Sequence, residues 1–263
     1  MTADAVARSA AALLGAPLAE ARPLHGGDIS TVVRLALDDG RVAVAKTGPA
    51  PRREARMLEA MGRAGAPVPQ LLAVSDTVLV LSELQDDGAL ESAGWAELGM
   101  ALRQLHASRG PAYGWPEDFA FGTVSIPNAA TETWPAFWAE RRLLPSCPHL
   151  PADMATRIEA LARNLPDLLP DPPPSLLHGD LWAGNILAAS GHLSGLIDPA
   201  CYHGDPEVDL AMLHLFGSPG GSFSEAYGPL RPGAEARRPI YQLWPALVHV
   251  RLFGAGYHSL VSR

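Results

Sequence analysis

The apolar pattern of the chain changes near residue 83, from the alternation of strands to the three-to-four-residue spacing of helices. No other feature restricts the fold as much. An Ala-rich helix over residues 3–16 comes first. Residues 24–46 then read as strand, glycine turn, strand, Asp39-Gly40 hairpin turn and strand. Thr31, Val32, Val33, Leu35 and Leu37 fill one arm, and Val42, Val44 and Lys46 mark the other. Residues 52–63 space Ala55, Leu58 and Met61 along one helical face, and the apolar runs 71–74 and 78–81 read as strands. Past residues 85–88 the sets Trp95/Leu98/Leu102/Leu105, Trp134/Phe137/Trp138 and Met154/Ile158/Leu161/Leu165 each fall on one face of a helix. The proline run within 170–174 stops the third of these. Strands follow at 175–178, 186–188 and 193–197, with Ser190-Gly191 as a turn. Asp205 is placed to cap a helix with Pro206 at its first position and Gly217 beyond its end. A last helix uses Ile240, Leu243, Trp244, Leu247 and Phe253, with a bend at Pro245. The expectation is an α+β chain: a small β-rich lobe over 1–83, a hinge over 84–88 and a larger helical lobe over 89–263.

The chain has 263 residues, enough for a sizeable core, and its 48% hydrophobic and 18% charged content is that of a globular protein. A net charge of −8 speaks against nucleic acid as a partner. No stretch reaches the roughly 18–20 apolar residues of a membrane span, so no membrane partner is expected. Asp4 and Arg8 interrupt the Ala-rich start and no basic leader precedes it, so it reads as a helix of the fold and not as a signal peptide. Cys147 and Cys201 lack metal-site spacing and point to a reducing cytoplasm, with one disulfide as the alternative. Lys46 is the one lysine among 20 basic residues. A chain that uses arginine wherever a generic charge suffices keeps a compact ammonium where a planar fork would not serve. Lys46 is therefore a candidate site residue, expected in a solvated cleft.

The densest chemical signal is His178-Gly179-Asp180-Leu181-Trp182-Ala183-Gly184-Asn185, then an apolar strand pair, then Asp198. The order H-x-D-x-x-x-x-N followed by a second Asp is the phosphoryl-transfer core of protein-kinase-like enzymes, which makes the two-lobed expectation a bilobal protein-kinase-like fold. In that arrangement Asp180 accepts the proton of an acceptor hydroxyl. Asn185 offers a neutral oxygen to Mg²⁺, and the hairpin after it returns Asp198 to the same metal. An isolated Asp is usually a turn or cap residue, whereas three groups in register are not. In the small lobe, Gly26 and Gly27 lie between strands and let the backbone approach phosphates, although a Gly-Gly pair alone is ordinarily just a turn. Lys46 ends the next strand, and Glu54 sits in the following helix, where it would hold the lysine against the α- and β-phosphates of ATP. Glu83 and Gln85, at the lobe junction, would present backbone groups to adenine.

The strings HGDLWAGN, DPACYHGDPEVDLAM and YQLWPALVHVRLFGAGY resemble the fructosamine kinase (ketosamine 3-kinase) family, within the aminoglycoside-phosphotransferase-like kinases. GGDIS at 26–30, VAVAK at 42–46, REARML at 53–58 and the stretch 113–143 extend the resemblance over nearly the whole chain. It implies phosphorylation, by ATP with Mg²⁺, of the third hydroxyl of a ketoamine carried by a small amine or a glycated protein. In the family the phosphorylated adduct then falls away, a deglycation repair. On the matched positions Asp180 would be the base, Asn185 and Asp198 the Mg²⁺ ligands, and Lys46 with Glu54 the phosphate anchor. Asn128, Trp134 and Trp182 fall in stretches that border the sugar site, with core packing as the alternative for the two tryptophans. Asp209 matches a residue that supports the catalytic loop, and His178 reads as a brace of that loop. Asp28 stands where the family often has Cys, so thiol control at the glycine loop is not expected.

Two further readings share these residues. A phosphotransferase acting on an aminoglycoside or a choline-like amine would suit the acidic larger lobe equally well. A nucleotide-binding module without turnover would be favoured by loss of the base or of a metal ligand, and neither is lost.

Overall fold

The structure is a computed structural model that describes residues 1–24, 30–215 and 217–262. Helix α1 (Ala3–Leu14) starts at Thr2, whose hydroxyl accepts the Ala5 N–H, and stops at Gly15, which takes the left-handed conformation that glycine adopts freely. Strands β1 (Leu18–Leu24), β2 (Val32–Leu37) and β3 (Val42–Lys46), helix α2 (Pro51–Arg63), and strands β4 (Leu71–Val74) and β5 (Leu79–Leu81) complete the small lobe. The strands form one antiparallel sheet in the order β1-β2-β3-β5-β4. Strand alternation divides its residues between two faces. Val33, Leu35, Leu37, Ala43, Ala45 and Val80 pack on Val6, Ala7, Ala10 and Ala11 of α1, and the small alanines allow close approach. Val42, Val44 and Lys46 occupy the opposite phase of β3 and so share the other face.

Helix α2 belongs to both halves of the molecule. Pro51 opens it, where a missing N–H costs nothing. Ala55 and Leu58 pack against Leu79 and Leu81 of the sheet, while Met57 and Met61 enter the core of the larger lobe.

The larger lobe runs through α3 (Ser92–Ala107), the hairpin β6 (Phe119–Phe121) and β7 (Val124–Ile126), α4 (Trp134–Phe137) and α5 (Ala152–Leu168). Strands β8 (Ser175–Leu177), β9 (Ile186–Ala189), β10 (His192–Leu196) and β11 (Tyr202–Gly204) follow, then α6 (Glu207–Leu213), α7 (Gly221–Tyr227), α8 (Ala234–Phe253) and α9 (His258–Ser262). The pairs β8·β11 and β9·β10 are antiparallel, and they bring the segments around His178, Asn185 and Asp198 together.

The α+β two-lobed architecture expected from the sequence is the one observed, with local differences. β1 spans Leu18–Leu24 and so begins well before residue 24; its middle five residues are exposed, which leaves no apolar alternation to read. β6, β7, β11 and α7 have no counterpart in the expected pattern; the strands are three residues long and the helix seven. α6 stops at Leu213, short of Gly217, and α8 continues through both Pro239 and Pro245.

Candidate active site

Lys46 lies at the end of β3, Glu54 in the first turn of α2, and Asp198 just past β10. Lys46 Nζ is 2.9 Å from Glu54 Oε1 and donates to Asp198 Oδ1 at 2.6 Å. Only 6% of Lys46 is exposed, which corrects the expected solvated cleft: its two carboxylates and the sheet face enclose the ammonium. Burial by itself would lower the lysine pKa, but the negative charges of Glu54 and Asp198 outweigh it and hold the value above that of an ordinary lysine. Burial moves the Glu54 carboxyl upward, against the pull of Lys46.

Asp198 has φ 56°, left-handed backbone in a residue other than glycine. Such a conformation costs about 1–3 kcal/mol and persists where the surroundings enforce it. Here the Ile197 N–H donates to Asn185 O at 3.1 Å and the Ala200 N–H to His178 O at 2.8 Å, fixing the chain on both sides.

The loop between β8 and β9 is held from beneath. Asp209, fully buried on α6, accepts the N–H groups of His178 and Gly179 at 2.8 and 2.9 Å, and His106 Nε2 lies 3.1 Å from its carboxylate. Gly179 has φ 81°, and a Cβ there would stand 2.1 Å from Ala200 O, so the position takes glycine alone. The Asp180 N–H donates to His178 Nδ1 at 3.2 Å, while His178 Nε2 donates to Ile197 O at 2.9 Å. This fixes the neutral tautomer, and burial pushes the His178 pKa down. His178 thus joins the Asp180 loop to the residue before Asp198, as a brace and not a proton carrier.

Burial pushes the Asp180 carboxyl up to about 7, against the opposing hydrogen bond from Asn185. Asn185 Nδ2 donates to Asp180 O at 2.8 Å and to Asp180 Oδ2 at 3.1 Å. The Asn185 amide oxygen and the Asp198 carboxylate, 41% exposed, remain as hard oxygen donors. They fit Mg²⁺, which takes one or two protein oxygens and fills its octahedron with water and phosphate. Among the described residues no group of three or more His, Cys, Asp or Glu is placed to hold a metal.

Two cavities stand out, and Asp180 lines the second. One, of about 650 Å³, lies at the lobe junction and is lined by Arg22, Arg34, Glu83 and Gln85 among others. Glu83 accepts from Arg34 Nε at 2.6 Å. On either side of residues 83–86 the Ser82 N–H donates to Gln70 O and the Asp87 N–H to Ala188 O. The other, of about 210 Å³, opens beside Asp180, with Phe121, Trp182, Trp244 and Phe253 in its walls. Asp180 is the one carboxylate among the described residues that line it.

Of the three residues expected near the sugar, Trp182 lines this second cavity, 40% exposed, with its ring against Gly184. The structure corrects the other two. Trp134 is 0% exposed; its indole N–H donates to Tyr241 Oη at 2.9 Å and its ring stacks on Phe137, so it is core. Asn128 is 1% exposed, with Nδ2 donating to Glu117 O and Oδ1 accepting from Arg142 Nη2. Both ends of its amide are spent on protein. Gly26 and Gly27, with Asp28, lie outside the described residues.

Phe121, Trp244 and Phe253 were not read as site residues from the sequence. Trp244 and Phe253 show only as part of a helix face, and Phe121 sits in a strand too short to be recognised. The buried Arg142 left no signal at all, since an arginine in an AERRL run reads as surface.

A model of the fructosamine kinase family matches residues 2–263. The chain is 37% identical over 255 residues to the probable ketoamine kinase TTHA1179 of Thermus thermophilus, covering 92% of each. Over 224 residues it is 34% identical to the probable ketoamine kinase YniA of Escherichia coli, covering 80% of this chain and 77% of that one. It superposes with TM-score 0.90 on a crystal structure from Thermobifida fusca assigned to the fructosamine-3-kinases, 32% identical, across 99% of this chain and 96% of that one.

Proposed function

The chain belongs to the fructosamine kinase family, and from that premise we propose that it transfers the γ-phosphoryl group of ATP to the third hydroxyl of a ketoamine sugar. The observation that carries this reading is the single array formed by Lys46, Glu54, Asp180, Asn185 and Asp198, with an aromatic cavity at Asp180. Lys46 serves as the point charge for the α- and β-phosphates, with Glu54 fixing its direction. Asn185 and Asp198 would hold Mg²⁺, which when bound neutralises charge on the transferring phosphoryl group. Asp180 Oδ2 is engaged by Asn185, so Oδ1 is left to accept the acceptor hydroxyl's proton. Its carboxyl, pushed up to about 7, is a stronger proton acceptor than an ordinary aspartate. Glu83 and Gln85 border the lobe-junction cavity, which we assign to the purine end of the nucleotide.

The lining of the smaller cavity supports a sugar over a polycation. Aromatic faces at Phe121, Trp182, Trp244 and Phe253 suit the C–H faces of a sugar ring, and one carboxylate is too few to match the several ammonium groups of an aminoglycoside. The same faces would also suit a quaternary ammonium, which makes a choline-like acceptor the second reading. Release of the phosphorylated sugar from its amine would make the reaction a deglycation step. We place it in the cytoplasm: Cys147 and Cys201 are both unpaired thiols, and no described helix is long and apolar enough to cross a membrane. The test offers fructosyl- and ribulosyl-lysine analogues, kanamycin and choline with Mg-ATP and follows ADP release. Turnover with the ketoamines is expected; turnover with kanamycin or choline alone would overturn the proposal.

A further inference from the structure

We infer that Glu117 is a positioning residue for the phosphate anchor: it clamps α2 to the larger lobe through Arg56 and thereby sets Glu54 against Lys46. The inference rests on the reading of Lys46 proposed above and concerns what holds that lysine in register.

Arg56 grips Glu117 with a two-pronged contact, Nε to Oε2 at 3.0 Å and Nη2 to Oε1 at 2.7 Å. One helical turn earlier, Arg53 Nη1 donates to Asp118 O at 2.6 Å. Both arginines flank Glu54 on α2, so the turn at 117–118 fixes the stretch of helix that carries the lysine's partner. The turn is itself rooted in the core. Asn128 donates its Nδ2 to Glu117 O at 3.0 Å, and Asp118 Oδ1 accepts the Asn128 N–H at 2.7 Å. Arg142, 0% exposed, donates Nη2 to Asn128 Oδ1 at 2.8 Å and Nη1 to Pro127 O at 2.7 Å. Its guanidinium carbon lies 4.7, 4.1 and 5.2 Å from the ring centres of Phe137, Tyr202 and Trp244.

The contribution of this chain of contacts is positional. Met57 and Met61 attach α2 to the larger lobe, and Ala55 and Leu58 attach it to the sheet, but apolar packing is non-directional and methionine is adaptable, so the polar contacts at 117–118 add the direction that packing lacks. Arg56 and Glu117 are both partly exposed, and such a pair contributes only about 0–1 kcal/mol to stability. Breaking it therefore leaves the fold nearly intact while freeing the helix.

The experiment measures Mg-ATP affinity by calorimetry and Tm for the parent, Glu117→Lys and Arg63→Gln, the last on the same helix but turned to solvent. Glu117→Lys is also placed in a Lys46→Arg background. The expected result is about five-fold weaker binding in Glu117→Lys, with Tm within about 3 °C of the parent and no change in Arg63→Gln. In the Lys46→Arg background the further loss should fall below about two-fold, since the group through which the clamp acts is already displaced. Unchanged affinity in Glu117→Lys, or the same loss in both backgrounds, overturns the clamp and leaves the kinase reading standing. A parent that binds no Mg-ATP overturns that reading, and the clamp falls with it.

Discussion

Asn185 binds Asp180 twice through one nitrogen, its Nδ2 reaching the carbonyl oxygen at 2.8 Å and the carboxylate at 3.1 Å. The residue proposed to hold the metal thus also orients the residue proposed to take the proton. Each keeps one oxygen for its own task.

Substitution separates those tasks. Asp180→Asn removes the proton acceptor and should lower kcat by ~10²–10⁴-fold while Mg-ATP affinity stays within about two-fold. Asp198→Asn should leave no measurable turnover at any Mg²⁺ concentration, with the fold retained because Asn also tolerates left-handed backbone. Steady-state kinetics and calorimetry on both variants check this. Equal loss of Mg-ATP affinity in the two would contradict this assignment of roles.

Lys46→Arg keeps the charge but brings a longer, planar group into a site enclosed by Glu54 and Asp198. A shift of about 1 Å in the phosphates can cost ~10²-fold in rate, so kcat/KM should fall at least about ten-fold. Because the lysine is buried, overpacking should also cost about 1–3 kcal/mol of stability, read as a lower Tm. A variant as active as the parent would remove Lys46 from the anchor.

The two tryptophans should respond in opposite ways. Trp134→Phe loses the hydrogen bond to Tyr241, whose hydroxyl in turn donates to Asp205 at 2.7 Å. A cost of about 1–3 kcal/mol should appear in Tm, with acceptor KM unchanged. Trp182→Ala should raise acceptor KM several-fold and leave Tm near that of the parent, since the ring is partly exposed on the cavity wall. Thermal melts beside acceptor titrations distinguish the two.

Asp209 predicts a pH dependence of stability. Burial would raise its pKa, but the hydrogen bond from His106 and the N–H of Gly179 favour the charged form and hold it below the ordinary 3.8. A carboxyl depressed in the fold contributes stability above its unfolded value and loses it as pH falls through the folded one. The Tm gap between the parent and Asp209→Asn should therefore be widest near neutrality and narrow below about pH 4. A gap that stays constant from pH 7 to pH 3 would contradict the assignment.

Most of the candidate site was legible in the sequence because it is local. Asp180, Asn185 and Asp198 are ordered by a loop and a hairpin within one short stretch, and the single lysine marked itself by composition. Contacts between distant segments were not legible. Trp134 and Asn128 lie in a stretch that resembles a substrate border, yet one closes a core of rings and the other ties Arg142 to the 117–118 turn. Nothing in residue spacing reveals that Glu117 meets Arg56, or that an arginine in an AERRL run is fully buried among aromatic rings. The early start of β1, at Leu18, is hidden for a different reason: a strand exposed along its middle has no apolar alternation to betray it.

The most direct test of the proposed phosphoryl transfer is to incubate the protein with Mg-ATP and a fructosyl-lysine analogue and to locate the phosphate by phosphorus–proton correlation NMR. A single new ester on the third carbon of the sugar is expected, absent with Asp180→Asn. A phosphate on another hydroxyl, or no ester under conditions where Mg-ATP is bound, would contradict it.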